Sequence, residues 1–126
     1  MIRAIALVFL FAPGLASAQY RDHSTTEVLT DTGSSAVLRG LDRMTGEVRD
    51  LELDRGETVG FGRLQVTLGE CRYPQDNPAG DAFAYLVIRE AGEEQPAFAG
   101  WMIAASPALN PLEHRRYDVW VMRCNR

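Results

Sequence analysis

From Ala36 onward the apolar residues come in short runs, and turn-forming clusters interrupt them every eight to twelve residues or so. That rhythm excludes most folds. Leu64, Val66 and Leu68 alternate with Arg63, Gln65 and Thr67, the period of a strand with one buried face. Ala36–Leu41, Val48–Leu53 and Thr58–Phe61 are shorter strand candidates, separated by Asp42–Gly46 and Asp54–Glu57. Ala82–Arg89 (AFAYLVIR) is almost wholly apolar, which suits a central strand buried on both faces. Ala97–Ala104 (AFAGWMIA) follows a turn at Ala91–Pro96 and is expected to pair with it as a hairpin. In the last run, Tyr117–Cys124, Tyr117, Val119 and Val121 face one way; Asp118, Trp120, Met122 and Cys124 face the other. No stretch holds helical periodicity with caps; Ser106 and Pro107 predict a single helical turn, with Ser106 as N-cap. The pattern predicts an all-β fold: a small antiparallel β-sandwich or barrel of six to eight strands. With 126 residues the chain makes one small domain, too short for a doubly wound or α/β-barrel enzyme.

The N-terminus follows another logic. Arg3 precedes an unbroken apolar run, Ala4–Ala12; Pro13-Gly14 breaks it, and Leu15-Ala16-Ser17-Ala18 ends in small residues. This predicts a secretory signal peptide, Met1–Ala18, cleaved after Ala18 and too short for a comfortable transmembrane anchor. No second long apolar run follows, so no membrane anchor is expected after cleavage. Gln19–Ser35 is polar and is expected to be a flexible leader, with Glu27–Thr30 as a candidate edge strand; the β domain is expected at Ala36–Arg126. Export gives Cys71 and Cys124 an oxidising compartment, where two distant cysteines are expected to pair. A bridge over that loop is worth about 4 kcal/mol in the chain-entropy model. A redox pair would ask for CxxC, and a metal site for ligand-spaced histidines; neither is present. Strict alternation puts Cys71 opposite the face of Leu68, and a bulge at Gly69 would reverse that. Thirteen basic residues, all Arg, against seventeen acidic ones give a formal net charge of −4, which argues against nucleic acid as the main partner.

The C-terminal half carries a denser pattern. Phe98, Gly100, Trp101, Met102, Ser106, Pro107, Leu109, Glu113, His114, Tyr117, Asp118, Val119, Trp120 and Cys124 are spaced as in the small exported bacterial proteins grouped as domain of unknown function 2155. The chain resembles that family there, and again at Leu38–Gly46, Gly56–Thr58, Phe61-Gly62 and Cys71. Arg115 departs from it, standing where the family usually has Pro, which would loosen the loop. The resemblance implies export to the periplasm of a proteobacterium and brings no activity with it.

Several residues invite chemical readings. Ser106, His114 and Asp118 are the residue types of a hydrolase triad, yet Ser106 precedes Pro and lacks a G-x-S-x-G elbow. Glu113, His114 and Asp118 are a thin donor set for a metal, and no metal or cofactor is expected. Trp101, Trp120, Tyr117 and Tyr85 are candidates for an aromatic cluster, with both tryptophans expected in the core because they sit in apolar strands. Asp118 needs a partner if buried; Arg39, Arg89, Arg116 or the Trp101 indole are the candidates.

The leading functional expectation is a non-catalytic periplasmic module that binds an envelope protein. Its surface would be the loop Ser106–Arg116 beside Tyr73–Asp81, both held at one end of the domain by the bridge. The candidate binding residues are Trp101, Ser106, Asn110, Glu113, His114, Tyr117, Asp118 and Trp120. A carbohydrate or peptidoglycan binder using Trp101 or Trp120 is the alternative, and a small hydrolase is third.

Overall fold

A computed structural model describes residues 27–126; the expected signal peptide, and the expected leader up to residue 26, lie outside the described residues. The apolar runs become strands: β1 (Thr30–Thr32), β2 (Ser35–Asp42), β3 (Val48–Asp54), β4 (Thr58–Phe61), β5 (Leu64–Pro74), β6 (Phe83–Glu90), β7 (Phe98–Ile103) and β8 (Tyr117–Asn125). All pair antiparallel. One sheet runs β1-β5-β6-β7, with β4 also on β5; the other runs β3-β2-β8. The architecture is therefore a two-sheet sandwich, and the predicted β6–β7 hairpin is present. Leu38, Leu51, Leu53, Val119 and Val121 from one sheet meet Leu64, Val66, Leu68, Leu86 and Ile88 from the other in a single core.

Tyr117 ties the two sheets at one end. It is buried, packs edge-on against Phe61 at 5.8 Å, and accepts a hydrogen bond from the Arg63 backbone at 3.1 Å through its hydroxyl. That backbone belongs to the two-residue turn joining β4 and β5. Gly62 takes the first position at φ 57° while Arg63 stays at negative φ, the form that suits strand twist in a hairpin. A side chain at Gly62 would also run into the Tyr117 ring, 2.8 Å from Cε1.

Two bulges place the cysteines. Leu68 pairs with Leu86 and Glu70 with Tyr85, so Gly69 is an extra residue and Cys71 returns to Leu68's buried face, 1% exposed. In β8, Val121 pairs with Leu38 and Arg123 with Val37, so Met122 is extra. Cys124 thereby turns to the core side, not to the side of Asp118 and Trp120 that strict alternation predicts. The sulfurs meet between the sheets as a Cys71–Cys124 disulfide, with Cα atoms 5.7 Å apart.

The structure departs from expectation in three places. The edge strand falls at Thr30–Thr32, not Glu27–Thr30, and the Gly33 N–H donates to the Cys71 carbonyl at 2.7 Å, so residues 30–35 belong to the folded body and not to a leader. β6 is covered on one face only. Ala84, Leu86 and Ile88 are buried, whereas Phe83, Tyr85 and Val87 are half-exposed on the outer side. Finally, residues 104–116 do not sit at one end. They run along the open side of the sandwich as a strap. The Ala105 N–H donates to Asp81 at one end, Leu112 is buried midway (4% exposed), and His114 reaches Glu90 at the other end of β6. The loop Tyr73–Asp81 meets the strap at Ala105, one residue before the expected loop Ser106–Arg116.

Candidate functional site

Most of the expected binding residues lie in or beside the strap, and the structure gives many of them structural work. The N–H groups of Arg116 and Tyr117 donate to His114 Nδ1 at 3.0 and 3.2 Å. The ring proton is therefore on Nε2, which donates to Glu90 Oε2 at 2.9 Å. That bond from His114 is the main cause holding the Glu90 carboxyl below its usual range. With both ring nitrogens engaged, His114 serves neither Ser106 nor a metal, and the triad geometry is not formed. Ser106 precedes a 3-10 turn at Pro107–Leu109, as predicted, but its side chain makes no capping bond; the backbone closes the turn through Leu109 N–H and the Ser106 carbonyl at 3.1 Å. The Asn110 side-chain amide donates to the Trp101 carbonyl at 3.0 Å, laying the strap along the outer edge of β7. Glu113 is exposed.

Asp118 finds a partner outside the expected four: Arg43, at 3.6 Å. Arg43 also donates to the His114 carbonyl at 2.8 Å, joining the β2–β3 turn to the strap. Arg116 is committed to Asp42 through two bonds of 3.0 and 2.9 Å. Asp42 is buried, 4% exposed, and also accepts from the Met44 N–H at 3.0 Å. The Arg116 fork first, and then that backbone bond, lower its pKa to about 2. Among the described residues no buried side-chain nitrogen or oxygen lacks a partner.

The aromatic residues separate into three places. Tyr117 is in the core, and Trp120 is half-buried on the outer side of β8, opposite Arg39 in register. It borders a groove of about 340 Å3 with Pro107, Ala108, Pro111 and Asp118. Trp101 is not in the core: it is 41% exposed on the outer face of the five-stranded sheet. Tyr85 lies beside it, edge-on at 5.5 Å. Register builds a patch around this pair. Phe83 stands opposite Ile103, Tyr85 opposite Trp101, and Val87 opposite Ala99, so six uncharged residues occupy three neighbouring rows. The β5 side of the patch carries Glu70 opposite Tyr85 and Arg72 opposite Phe83. Those two are paired at 2.7 Å. Gly69 matters here as well, because a Cβ on it would stand 2.9 Å from the Tyr85 ring.

Phe83, Val87 and Ile103 were absent from the expected site, although their signal was in the sequence. Two consecutive runs too apolar for one-sided strands imply a second apolar face, on which no third layer lies among the described residues. Among the described residues no helix is long and apolar enough to cross a membrane, and no three His, Cys, Asp or Glu side chains gather as metal ligands.

Comparison with known proteins places the chain. A family model described as an uncharacterized protein conserved in bacteria (DUF2155) matches residues 36–124. An uncharacterized protein of Rickettsia prowazekii (strain Madrid E) is 24% identical over 111 residues, covering 86% of this chain. The chain spans 65% of that relative's length. No solved structure matches.

Proposed function

The chain belongs to the DUF2155 family, and we propose that it is an exported, non-catalytic β domain of the bacterial cell envelope that binds another protein. The binding surface in this reading is the outer face of β6 and β7, centred on Trp101 and Tyr85. One observation carries it: an uncharged, aromatic-rich patch stands at the surface of a domain whose buried polar side chains, among the described residues, all have partners. Large rigid aromatic side chains on a firm sheet are what protein interfaces use as anchors. Periplasmic location is part of the proposal. It is supported by the signal-peptide pattern at Met1–Ala18 and by a disulfide placed between the sheets, which an oxidising compartment favours.

The exposure of Trp101 also favours a second reading, a carbohydrate or peptidoglycan binder stacking sugar rings on its indole. Trp120 would not share that site, because it lies on the other sheet. Affinity capture from envelope extract separates the readings. The wild-type chain and an Asp50→Ala variant of the opposite face should retain the same protein, and Ile103→Arg should lose it. Retention of peptidoglycan fragments, or capture indifferent to Ile103, would count against the protein-binding reading.

A further inference from the structure

A cleft of about 260 Å3 opens on the patch, lined by Thr30, Arg72, Phe83, Trp101 and Ile103. It spans β1, β5, β6 and β7, so four strands fix its shape. The polar groups around it are engaged with one another. Arg72 donates through Nε to Thr30 Oγ1 at 2.6 Å, and through its terminal nitrogens to Thr32 Oγ1 at 3.0 Å, Glu70 at 2.7 Å and the Thr30 carbonyl at 3.1 Å. The Thr32 hydroxyl donates to Glu70 at 3.3 Å. The Arg72–Glu70 fringe is thus neutral as a pair, with four of the five guanidinium N–H groups engaged, so the cleft offers a ligand mainly carbon surface and no unpaired charge. Its volume suits one bulky side chain.

Resting on the protein-binding reading above, we propose that this cleft is an anchor pocket for a single large uncharged apolar side chain, aromatic or leucine-like, presented by the partner protein. A sugar ring fits the chemistry poorly. Its hydroxyls ask for several donors and acceptors, whereas Phe83 and Ile103 offer none and most of those on Arg72 are already committed. In a symmetric pair with a second copy of this chain, the anchor would have to come from the same face. Trp101 cannot act as its anchor, since it is part of the wall and packs on Tyr85. An anchor seated in a desolvated pocket is the usual source of hot-spot energy in such an interface.

The test is a titration of the isotope-labelled full chain with N-acetyl-L-tryptophanamide and N-acetyl-L-leucinamide, followed by NMR. Chitotriose and N-acetyl-L-glutamate amide serve as the sugar and charged arms, and a dilution series reports self-association. Saturable shifts at the Trp101 indole, the Ile103 methyls and Thr30 with the apolar amides alone are the expected result. In Ile103→Glu, with its Tm unchanged, the affinity should fall about tenfold or more. If that variant does not fold, the wild-type titration decides by itself. Shifts with chitotriose, shifts on dilution without ligand, or no saturable response to either apolar amide would each overturn the proposal. If the amides fail while capture still depends on Ile103, the face binds protein without this pocket; if both fail, the face is not the binding surface.

Discussion

The two outer faces of the sandwich are built from the same strand geometry and differ in what the outward positions carry. On the three-stranded sheet every cross-strand row contains charge: Asp50 and Arg39 with Trp120, Glu52 and Arg123 with Val37, and Asp118 with Leu41. Arg39 and Asp50 close at 2.7 Å. On the five-stranded sheet the β6–β7 positions hold Phe83 with Ile103, Tyr85 with Trp101 and Val87 with Ala99, and charge enters these rows only on β5, where Arg72 and Glu70 pair with each other. One face is finished for water. The other resembles an inner face that lacks its covering layer, which is the usual mark of an interaction site.

That contrast depends on the bridge and the bulges holding both sheets in register, so the largest effect should come from Cys71→Ser with Cys124→Ser. Loss of about 4 kcal/mol is expected in denaturant unfolding, enough to unfold much of a small domain. Next are the two sides of one hairpin. Ile88→Ala, on the buried side of β6, should cost about 2–5 kcal/mol. Trp101→Ala, on the outer side of β7, should cost only about 1 kcal/mol, mostly the lost contact with Tyr85. Equal losses by chemical denaturation would mean the outer face is a second core, and the comparison would fail.

Smaller effects sharpen it. Gly69→Ala should displace the Tyr85 ring and move the Trp101 emission while the disulfide still forms; an unchanged spectrum would detach the bulge from the patch. Asp42 supplies the pH test. Its folded pKa lies near 2, below the ordinary carboxylate value, so its stabilisation is present above about pH 4 and is lost as pH falls toward 2. Asp42→Asn should flatten that acid limb in a pH-dependent unfolding series. Trp101 lies on the other sheet from Asp42 and Arg116, and Trp101→Ala should leave the limb as it is.

The strand plan was legible because period-two alternation and turn residues are local signals: β2 to β8 fall close to the apolar runs. The bridge was legible from the expected compartment and the count of two cysteines. Its geometry was not, because Gly69 advertises a bulge while Met122 does not. The candidate site was half legible. Trp101 drew attention, but an apolar run reads the same whether its second face meets a sheet, a partner or water. Arg43 as the partner of Asp118, and Arg116 as the partner of Asp42, join residues more than seventy positions apart. No spacing rule reaches that far.

The most direct measurement is site-specific photo-crosslinking in intact cells, with a benzophenone amino acid at Ala99 on the apolar face and, separately, at Glu52 on the charged one. The account predicts a discrete protein adduct from position 99 and none from position 52. Adducts from position 52 alone, or none from position 99 in a folded chain, would contradict it.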